Sequence, residues 1–247
     1  MPLVKWQDLG CLDYQPAWDY QTQLHRRLVE RKLEHRHLKP GQYEQEHYFL
    51  VVEHPHVYTL GKSGSPEHLL LSEAQLQARG IQYFPINRGG DITYHGPGQL
   101  VGYPILDLEC FFTDVHRYVR SLEEVIMRTV GDFGVQTLRL PGHTGVWCPP
   151  RLGCTLPAAE DGFWEKFRKI CAIGVHLSRW VTLHGFAFNV QTDLAFFRYI
   201  VPCGIADEDK TVTSLAWECG RPVAMETVKA QLRHHFCAVF GCEIEIV

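Results

Sequence analysis

Helix-like and strand-like patterns alternate along this chain, and this alternation restricts its fold more than any other feature. Residues 14–39 carry apolar side chains at a spacing of about 3.6 residues, opposite a face rich in Arg and Glu. This pattern predicts a long amphipathic helix that ends before Pro40 and Gly41. Short apolar runs predict strands at residues 48–52, 57–60, 81–86, 100–106, 170–176, 180–190 and 243–247. Further helices are predicted from Ser72 to a stop at Gly80, and at residues 113–130 and 225–240.

The order of these elements predicts the fold class. Strands and helices interleave without a strict β-α-β rhythm, so we expect an α/β (α+β) protein with a mixed β-sheet and helices packed on it. The 247 residues contain no internal repeat, and a single domain spanning residues 1–247 is the simplest interpretation. Residues 148–166 contain several prolines and an acidic turn, which predict a surface loop or insertion.

Charge and hydropathy exclude several classes of protein. Lys and Arg number 24 against 28 Asp and Glu, a net charge of -4, so the sequence has neither a basic footprint for nucleic acid nor a polybasic membrane patch. No run approaches the roughly 18 consecutive apolar residues of a membrane-spanning helix, and the N-terminal residues lack the apolar core of a secretory signal. We therefore expect a soluble, cytoplasmic protein that binds neither nucleic acid nor membrane.

The nine cysteines form neither a disulfide framework nor a metal site. Their number is odd, no Cys-x-x-Cys occurs, and no secretory signal accompanies them. The 14 histidines lack the His-x-x-x-His spacing with a supporting Glu that a catalytic zinc site uses. We therefore predict no metal site, and we expect most thiols to be small buried hydrophobic groups. Whether one of the nine thiols is chemically different is left open by the composition.

The most unusual segment is residues 87–99, in which four glycines and a proline surround Arg, Thr, Tyr and His. Glycine permits positive φ and close approach of a ligand to the backbone, and exposed N–H groups in such a loop can bind an anion. The alternative is a glycine-rich hairpin without a ligand. The segment matches neither the phosphate-loop pattern nor Gly-x-Gly-x-x-Gly.

Lys169 stands at the entrance of the strand predicted at residues 170–176. Alternation would place it on one face with Cys171 and Ile173, an apolar set in which a lysine is out of place. A desolvated lysine amine can lose its proton well below its usual pKa of about 10.4 and accept a proton from another group. The alternative is a surface lysine at a strand end.

Cys203 lies between a proline and a glycine, a sequence that could present its sulfur at a loop tip. Cys171, inside a predicted strand, is more consistent with core packing. A reactive cysteine needs a basic or positive neighbour, because its thiol has a usual pKa of about 8.5. Lys169 could be that neighbour, although the sequence does not show that the two meet.

Four motifs in chain order carry a resemblance to a known family. They are Arg-Gly-Gly-Asp-Ile-Thr-Tyr-His-Gly-Pro-Gly-Gln at residues 88–99, Lys-Ile-x-Ala-Ile-Gly-Val at residues 169–175, Thr-x-His-Gly-x-Ala-x-Asn-Val at residues 182–190 and Pro-Cys-Gly-Ile at residues 202–205. His-Thr-Gly-Val-Trp at residues 143–147 lies between the first two. Together they resemble the octanoyltransferases of lipoyl synthesis.

This resemblance implies a fold, an activity and a mechanism. The fold would be the biotin/lipoate protein ligase-like catalytic module. An octanoyl group on acyl carrier protein would pass to a specific lysine of an acceptor, through a thioester on Cys203. Lys169 would lower the pKa of Cys203 and act as general base. The acceptors would be lipoyl domains of 2-oxoacid dehydrogenases and the glycine cleavage H protein, and neither ATP, a metal nor another cofactor would be required.

The resemblance also implies a set of substrate-binding residues in three glycine-containing or small-residue segments. They are Arg88, Gly89, Gly90, Asp91, Ile92, Thr93, Tyr94, His95, Ala172, Ile173, Gly174, Gly185, Phe186 and Ala187. Such segments suit a narrow acyl channel with backbone N–H groups directed at a developing oxyanion. Residues 148–166 depart from the family because they make the connection between Trp147 and Lys169 longer than usual.

Two other functions are compatible with these residues. An ATP-dependent lipoate-protein ligase would share the fold and a lysine in a comparable strand, but it forms an acyl-adenylate and needs no cysteine nucleophile. A non-catalytic module that binds a carrier protein would use Cys203 only structurally. The Pro-Cys-Gly segment favours the transferase.

Overall fold

The structure is a computed structural model that describes residues 1–38, 42–156, 161–201 and 208–247. The described residues form five α-helices and twelve β-strands. The helices are α1 (Tyr14–Glu34), α2 (Glu73–Ala78), α3 (Val115–Gly131), α4 (Leu215–Cys219) and α5 (Met225–Phe240). The strands are β1 (Leu3–Cys11), β2 (His47–Glu53), β3 (Val57–Leu60), β4 (Gln82–Pro85), β5 (Ile92–His95), β6 (Gln99–Ile105), β7 (Leu138–Leu140), β8 (His143–Cys148), β9 (Phe167–Ser178), β10 (Val181–Asn189), β11 (Lys210–Val212) and β12 (Glu243–Ile246). Among the described residues, no helix is both long and apolar enough to cross a membrane.

Nine of the described strands form one mixed sheet in the order β12-β1-β2-β6-β10-β9-β8-β7, with β11 hydrogen-bonded to β9. β1 runs parallel to β12 and β2, and β11 runs parallel to β9, whereas the pairs from β2 to β7 are antiparallel. β10 lies inside this order and is buried along its whole length. The predicted α/β class with a mixed sheet is confirmed.

A smaller sheet in the order β4-β3-β5 carries part of the glycine-rich segment. β4 pairs with β3 in parallel, and β5 pairs with β3 antiparallel. Backbone hydrogen bonds tie the loop before β5 to the chain that follows β3. The amide of Lys62 donates to the carbonyl of Arg88 at 3.0 Å, and the amide of Ser63 donates to the carbonyl of Gly90 at 3.1 Å. The loop is therefore fixed along one side by its own backbone.

Helices cover both faces of the main sheet. α3 and α5 pack against each other, and Leu122 and Phe236 join a buried cluster that includes Leu100 of β6. Leu28 of α1 joins a second cluster that includes Val101, the next residue of β6. Because successive side chains of a strand point to opposite faces, these two clusters lie on opposite sides of the sheet.

α1 ends at Glu34, and not at residue 39 as its pattern predicts. Leu28 is the last buried residue of the helix, and Leu33 is 41% exposed. Helices in proteins are stabilised mainly by packing of an apolar face, so the last predicted turn has no apolar surface to join. α5 spans Met225–Phe240, as predicted.

The segment predicted as a surface loop is anchored at both of its ends. Cys148 closes β8 and is fully buried, and Phe163 and Trp164 are buried before β9. Leu152, by contrast, is 84% exposed. Apolar side chains at both ends of the segment therefore pack into the protein, whereas the part around Leu152 is open to solvent. Residues 157–160 lie outside the described part of the chain.

Candidate active site

A cavity of about 510 Å³ lies over strands β6, β9 and β10. Its floor contains small residues on neighbouring strands, with Ala172 paired with Ala187 and Gly174 paired with Gly185. Its walls come from the glycine-rich segment, α1, α3 and the turn that opens β8. Small side chains leave the space above the strands open, so the local sequence of β9 and β10 creates the cavity.

Two glycines of the floor are required by close packing of the backbone. A Cβ at Gly185 would lie 2.2 Å from the carbonyl oxygen of Gly102 on β6. A Cβ at Gly174 would lie 2.9 Å from the carbonyl oxygen of Gly89 in the glycine-rich loop. Neither oxygen belongs to a flexible side chain that could move aside. These glycines therefore let the loop and β6 approach the floor closely.

Arg88 is a buried cation in the cavity wall. One terminal nitrogen donates to the carbonyl of Thr59 at 2.7 Å and to the Thr59 hydroxyl at 3.0 Å. The other donates to the carbonyl of Gly89 at 3.0 Å. Burial lowers the pKa of Arg88 from its usual value, and the neutral oxygens offset part of the cost of desolvation. Arg88 therefore braces the glycine-rich loop against β3.

Neutral polar side chains form a layer in and behind one part of the wall, with His95 lining the cavity and His54 packed behind it against Tyr103. His54 contacts the carbonyl of Leu12 through Nδ1 at 2.7 Å and the hydroxyl of Tyr103 through Nε2 at 2.8 Å. His95 contacts Gln99 Oε1 through Nδ1 at 2.8 Å, and its ring stacks on Tyr14. Burial lowers the pKa of His54 to about 4 and lowers that of His95 well below its usual value. Both imidazoles are therefore neutral near pH 7.

His184 extends this neutral layer and has an unusual backbone. Its φ is 61°, a left-handed conformation that is uncommon for residues other than glycine. Its Nε2 contacts Asn87 Oδ1 at 2.7 Å, and burial lowers its pKa to about 3. His184 is paired with Val175, six residues along β9 from Lys169, or roughly 20 Å of strand. The cavity thus has a lysine at one end and a neutral imidazole at the other.

Lys169 is the third residue of β9 and lies in the cavity wall. Its backbone is held on both sides, because it pairs with Trp147 of β8 and with Val212 of β11. The amide of Thr213 also donates to its carbonyl at 2.9 Å. The Lys169 ammonium nitrogen lies 4.6 Å from the centroid of the Trp147 ring. The lysine therefore lies in the cavity wall, and its ammonium group lies over an indole ring.

Cys171 does not share the environment of Lys169, contrary to the simple alternation. The pairing of β8 with β9 is irregular between these two residues, since Val146 pairs with Cys171 and the next residue, Trp147, pairs with Lys169. Cys171 is fully buried in the core cluster, and this burial raises the pKa of its thiol well above the usual value. The expectation that Cys171 is a core residue is therefore consistent with its position.

The cavity is also lined by residues to which the sequence motifs assigned no role, although His143 and Thr144 belong to the His-Thr-Gly-Val-Trp motif. They are Gly142, His143, Thr144 and Val119. Glu123 of α3, fully buried, accepts a hydrogen bond from the amide of Gly145 at 3.0 Å and so holds this turn. A signal existed in the sequence: Glu123 lies four residues after Val119 and three before Ile126, within the apolar face of its helix.

The cavity brings together nearly all residues predicted for the site. The predicted residues in its wall are Lys169, Arg88, Gly89, Gly90, Asp91, Ile92, Thr93, His95, Ala172, Ile173, Gly174, Gly185, Phe186 and Ala187. Tyr94 is not among the lining residues: its ring is buried beside Tyr58 and Phe196, and its hydroxyl lies 2.7 Å from Nδ1 of His56. Cys203 lies outside the described residues.

Comparison with known proteins gives the family. Residues 13–237 match the lipoyl protein ligase A/B catalytic domain, and the chain belongs to this family. In the solved structures, an archaeal bipartite lipoate protein ligase from Thermoplasma acidophilum has a TM-score of 0.70 at 14% identity, covering 100% of this chain and 87% of that one. A lipoate-protein ligase A bound with ATP has a TM-score of 0.65 at 13% identity, covering 100% and 88%. These similarities confirm the predicted ligase-like fold.

Curated relatives are more specific. An octanoyltransferase of Cytophaga hutchinsonii is 55% identical over 97% of this chain and 93% of its own length. An octanoyltransferase of Flavobacterium psychrophilum is 52% identical over 98% of both chains. The resemblance to octanoyltransferases inferred from the four motifs is therefore confirmed.

Proposed function

We propose that this protein is an acyltransferase that moves an octanoyl group from octanoyl-acyl carrier protein to a lysine of a lipoyl-accepting domain, through a thioester on Cys203. One observation carries the proposal: Lys169 and the predicted substrate-binding residues other than Tyr94 meet in one cavity. Its volume of about 510 Å³ lies in the range of roughly 300–1,000 Å³ that is typical of small-molecule sites. The identity to octanoyltransferases supports the same reaction.

In the proposed first step, the thiolate of Cys203 attacks the carbonyl carbon of the donor thioester. A new C–S bond forms, the bond to the carrier sulfur breaks, and the carrier thiol leaves with a proton supplied through Lys169. The Lys169 ammonium stabilises the thiolate before attack, because an adjacent positive charge lowers a thiol pKa. The cavity is lined by Lys169, by Phe197, which precedes residues 202–207, and by Val212, which follows them. This supports the assignment of Cys203 as the nucleophile and Lys169 as its positive neighbour.

In the second step, Lys169 accepts a proton from the acceptor lysine, whose amine attacks the Cys203 thioester. An amide bond forms, the bond between the acyl carbon and the Cys203 sulfur breaks, and Cys203 is released as the thiolate that began the first step. The thioester keeps the acyl group activated between the two transfers, so the reaction needs no ATP.

We further propose lipoyl domains of 2-oxoacid dehydrogenases and the glycine cleavage H protein as acceptors. The similar archaeal ligase is described together with its E2 lipoyl domain, which supports an acceptor of this class. We place the reaction in the cytoplasm. The eight cysteines within the described residues are all free thiols, as a reducing compartment would keep them.

Intact-mass analysis after mixing with octanoyl-acyl carrier protein tests the proposal. The wild-type protein should gain one octanoyl group, and Cys203→Ser should gain none and lose nearly all transfer, because a serine hydroxyl is a poor nucleophile at neutral pH. Cys11→Ser is the matched control: Cys11 is exposed, and its replacement should leave acylation unchanged.

Other outcomes would point to the rival functions. Transfer from free octanoate that requires ATP, with no acylation of Cys203, would indicate a ligase. Binding of the carrier protein with neither acylation nor transfer would indicate a binding module. Full turnover by Cys203→Ser would remove Cys203 from the mechanism.

A further inference from the structure

Trp147 lies behind the catalytic lysine of the proposed mechanism, and nothing in the reaction assigns it a role. The side chain is fully buried in β8, and it does not line the cavity. Its backbone pairs directly with that of Lys169. The Lys169 nitrogen lies over its ring at 4.6 Å from the centroid. Any effect of Trp147 on the reaction must therefore pass through residues that line the cavity, of which Lys169 is in direct contact with its ring.

We propose that Trp147 is a positioning residue that holds the Lys169 ammonium at the cavity wall by a cation–π contact. The negative face of an indole attracts an ammonium more strongly than any other side-chain ring. The contact both directs the lysine stem and favours the charged form of the amine. The inference rests on the proposed function, in which that charge stabilises the Cys203 thiolate.

The surroundings of the indole favour this role over a purely apolar one. Nε1 of Trp147 is buried and has no hydrogen-bond partner among the described residues, so the N–H group does not account for a tryptophan here. The ring of His143, which lines the cavity, meets Trp147 edge to face at a centroid distance of 5.8 Å. Trp147 therefore contacts two residues that line the cavity, His143 and Lys169, from behind.

The neighbouring strands also fix the backbone position of Lys169, from which its side chain extends. Pairing with β8 on one side and β11 on the other immobilises its backbone, so only its side-chain torsions are free to change. A free lysine side chain has many rotamers, and fixing one of them costs conformational entropy. Contact with a buried ring removes most of these conformers before substrate binds, which is the advantage of preorganisation.

The pH dependence of Cys203 alkylation tests the inference, measured on the Cys203 peptide by mass spectrometry. Trp147→Met fills much of the volume without an aromatic face, whereas Trp147→Phe keeps a face. Trp147→Met should raise the apparent pKa of Cys203 by about half a unit, and Trp147→Phe by less. Lys169→Ala should raise it further.

These variants retain the other titratable side chains on the elements around Lys169, and one of them, His143, also contacts the Trp147 ring. The retained side chains are Cys171 of the same strand, His143 of β8, Glu123 of α3 and Lys210 of β11. A double variant supplies the decisive control. If Trp147 acts through Lys169, adding Trp147→Met to Lys169→Ala should cause no further shift.

The outcomes separate this inference from the proposed function. A raised pKa in Lys169→Ala with no change in Trp147→Met would overturn the role of Trp147 alone. An undiminished effect of Trp147→Met in the Lys169→Ala background would also overturn it. An unchanged pKa in Lys169→Ala would remove the proposed role of the lysine, and that of Trp147 with it.

A second measurement covers loss of folding in Trp147→Met. Fluorinated tryptophan weakens the negative face of the ring with little change of shape, and its incorporation should raise the Cys203 pKa in wild-type protein. The same incorporation in Trp147→Phe, which keeps the other five tryptophans, should have no effect. An equal shift in both proteins would overturn the inference.

Discussion

Arg88 and Glu123 are buried charges that shape the cavity walls in different ways. Arg88 donates from its two terminal nitrogens to neutral oxygens of Thr59 and Gly89, while its buried Nε has no hydrogen-bond partner among the described residues. Glu123 accepts from Arg120 at 2.7 Å, from Arg139 at 3.1 Å and from the amide of Gly145. Burying an ion without such partners costs several kcal/mol. Each charge therefore fixes a loop, because the loop supplies its hydrogen-bonding groups.

The sequence motifs predicted these walls only in part. Lys169 and Arg88 stand in segments of unusual composition, and both line the cavity. Tyr94 shares its motif with Thr93 and His95, but alternation along β5 turns it to the opposite side. The separation of Lys169 from Cys171 could not be read from their own strand, because the irregularity exists only in its pairing with β8.

Gly185→Ala should destabilise the protein. The added methyl would meet the backbone of β6 at 2.2 Å, and relief would require two paired strands to move apart. Overpacking of this kind costs about 1–3 kcal/mol. Urea denaturation measures the loss in free energy of unfolding.

A glycine with free space supplies the control for that measurement. Gly131 ends α3, and nothing lies within 4 Å of a Cβ placed on it. Gly131→Ala should be neutral or stabilise the protein by up to about 1 kcal/mol. Equal stability of the Gly185→Ala and Gly131→Ala proteins would contradict the close approach of β6 and β10.

Elements with strong patterns were predicted more accurately than those with weak ones. The apolar run of β10 and the periodicity of α5 gave bounds close to those observed. β1 was not predicted, although Val4 and Trp6 alternate with more exposed neighbours in the way a half-buried strand does. β11 has only three residues, and its strand conformation depends on pairing with β9, so its own sequence carries little signal.

Asp114→Ala should destabilise α3 because the Asp114 side chain caps it. Its carboxylate accepts a hydrogen bond from the amide of Arg117 at 2.9 Å. Loss of such a cap costs about 1 kcal/mol. Because α3 carries Val119 to the cavity and holds the start of β8 through Glu123, a small loss of transfer activity should accompany the lower melting temperature.

Asp13→Ala is the matched variant for that test. Asp13 occupies the same N-cap position in α1, but its side chain makes no capping hydrogen bond. Only the charge of Asp13 near the helix N-terminus contributes, so the expected loss is about 0.3–1 kcal/mol. If both aspartates proved equally costly to remove, the capping bond of Asp114 would not account for its effect.

At the scale of the whole molecule, the sequence predicted a mixed sheet but not the order of the strands within it. A mixed order that starts with β12 and β1 joins the two ends of the described chain in one parallel pair. Short runs near residues 4 and 244 could not indicate that they would meet. Long-range pairing depends on what remains uncovered after the other elements pack, which no local pattern records.

Stability should fall as the pH falls from 7 to 5. Burial lowers the pKa of His47 and His54 to about 4, against 6.5 for an exposed histidine, so between these values the unfolded chain binds more protons than the folded one. The contribution of these two histidines to the free energy of unfolding is therefore fully present above pH 6.5 and is lost as the pH falls toward 4. At pH 5 the loss is about 2 kcal/mol for each of the two.

Urea denaturation at pH 7 and pH 5 measures this difference, in a range above the usual titration of Asp and Glu. His47→Gln should remove the part of this pH dependence that His47 contributes. His37→Gln, which replaces an exposed histidine, should leave it unchanged. Equal free energies of unfolding at the two pH values would show that His47 and His54 are not neutral in the folded protein.

The neutral imidazoles at one end of the cavity have a consequence for ligand recognition. His95 and His184 line the cavity and are already neutral near pH 7, so an acyl chain that displaces water beside them does not change their protonation. Chain entry then exchanges no protons with the buffer, and its heat is independent of the ionisation enthalpy of the buffer. Any proton uptake during turnover therefore belongs to the reacting groups and not to the tail of the substrate.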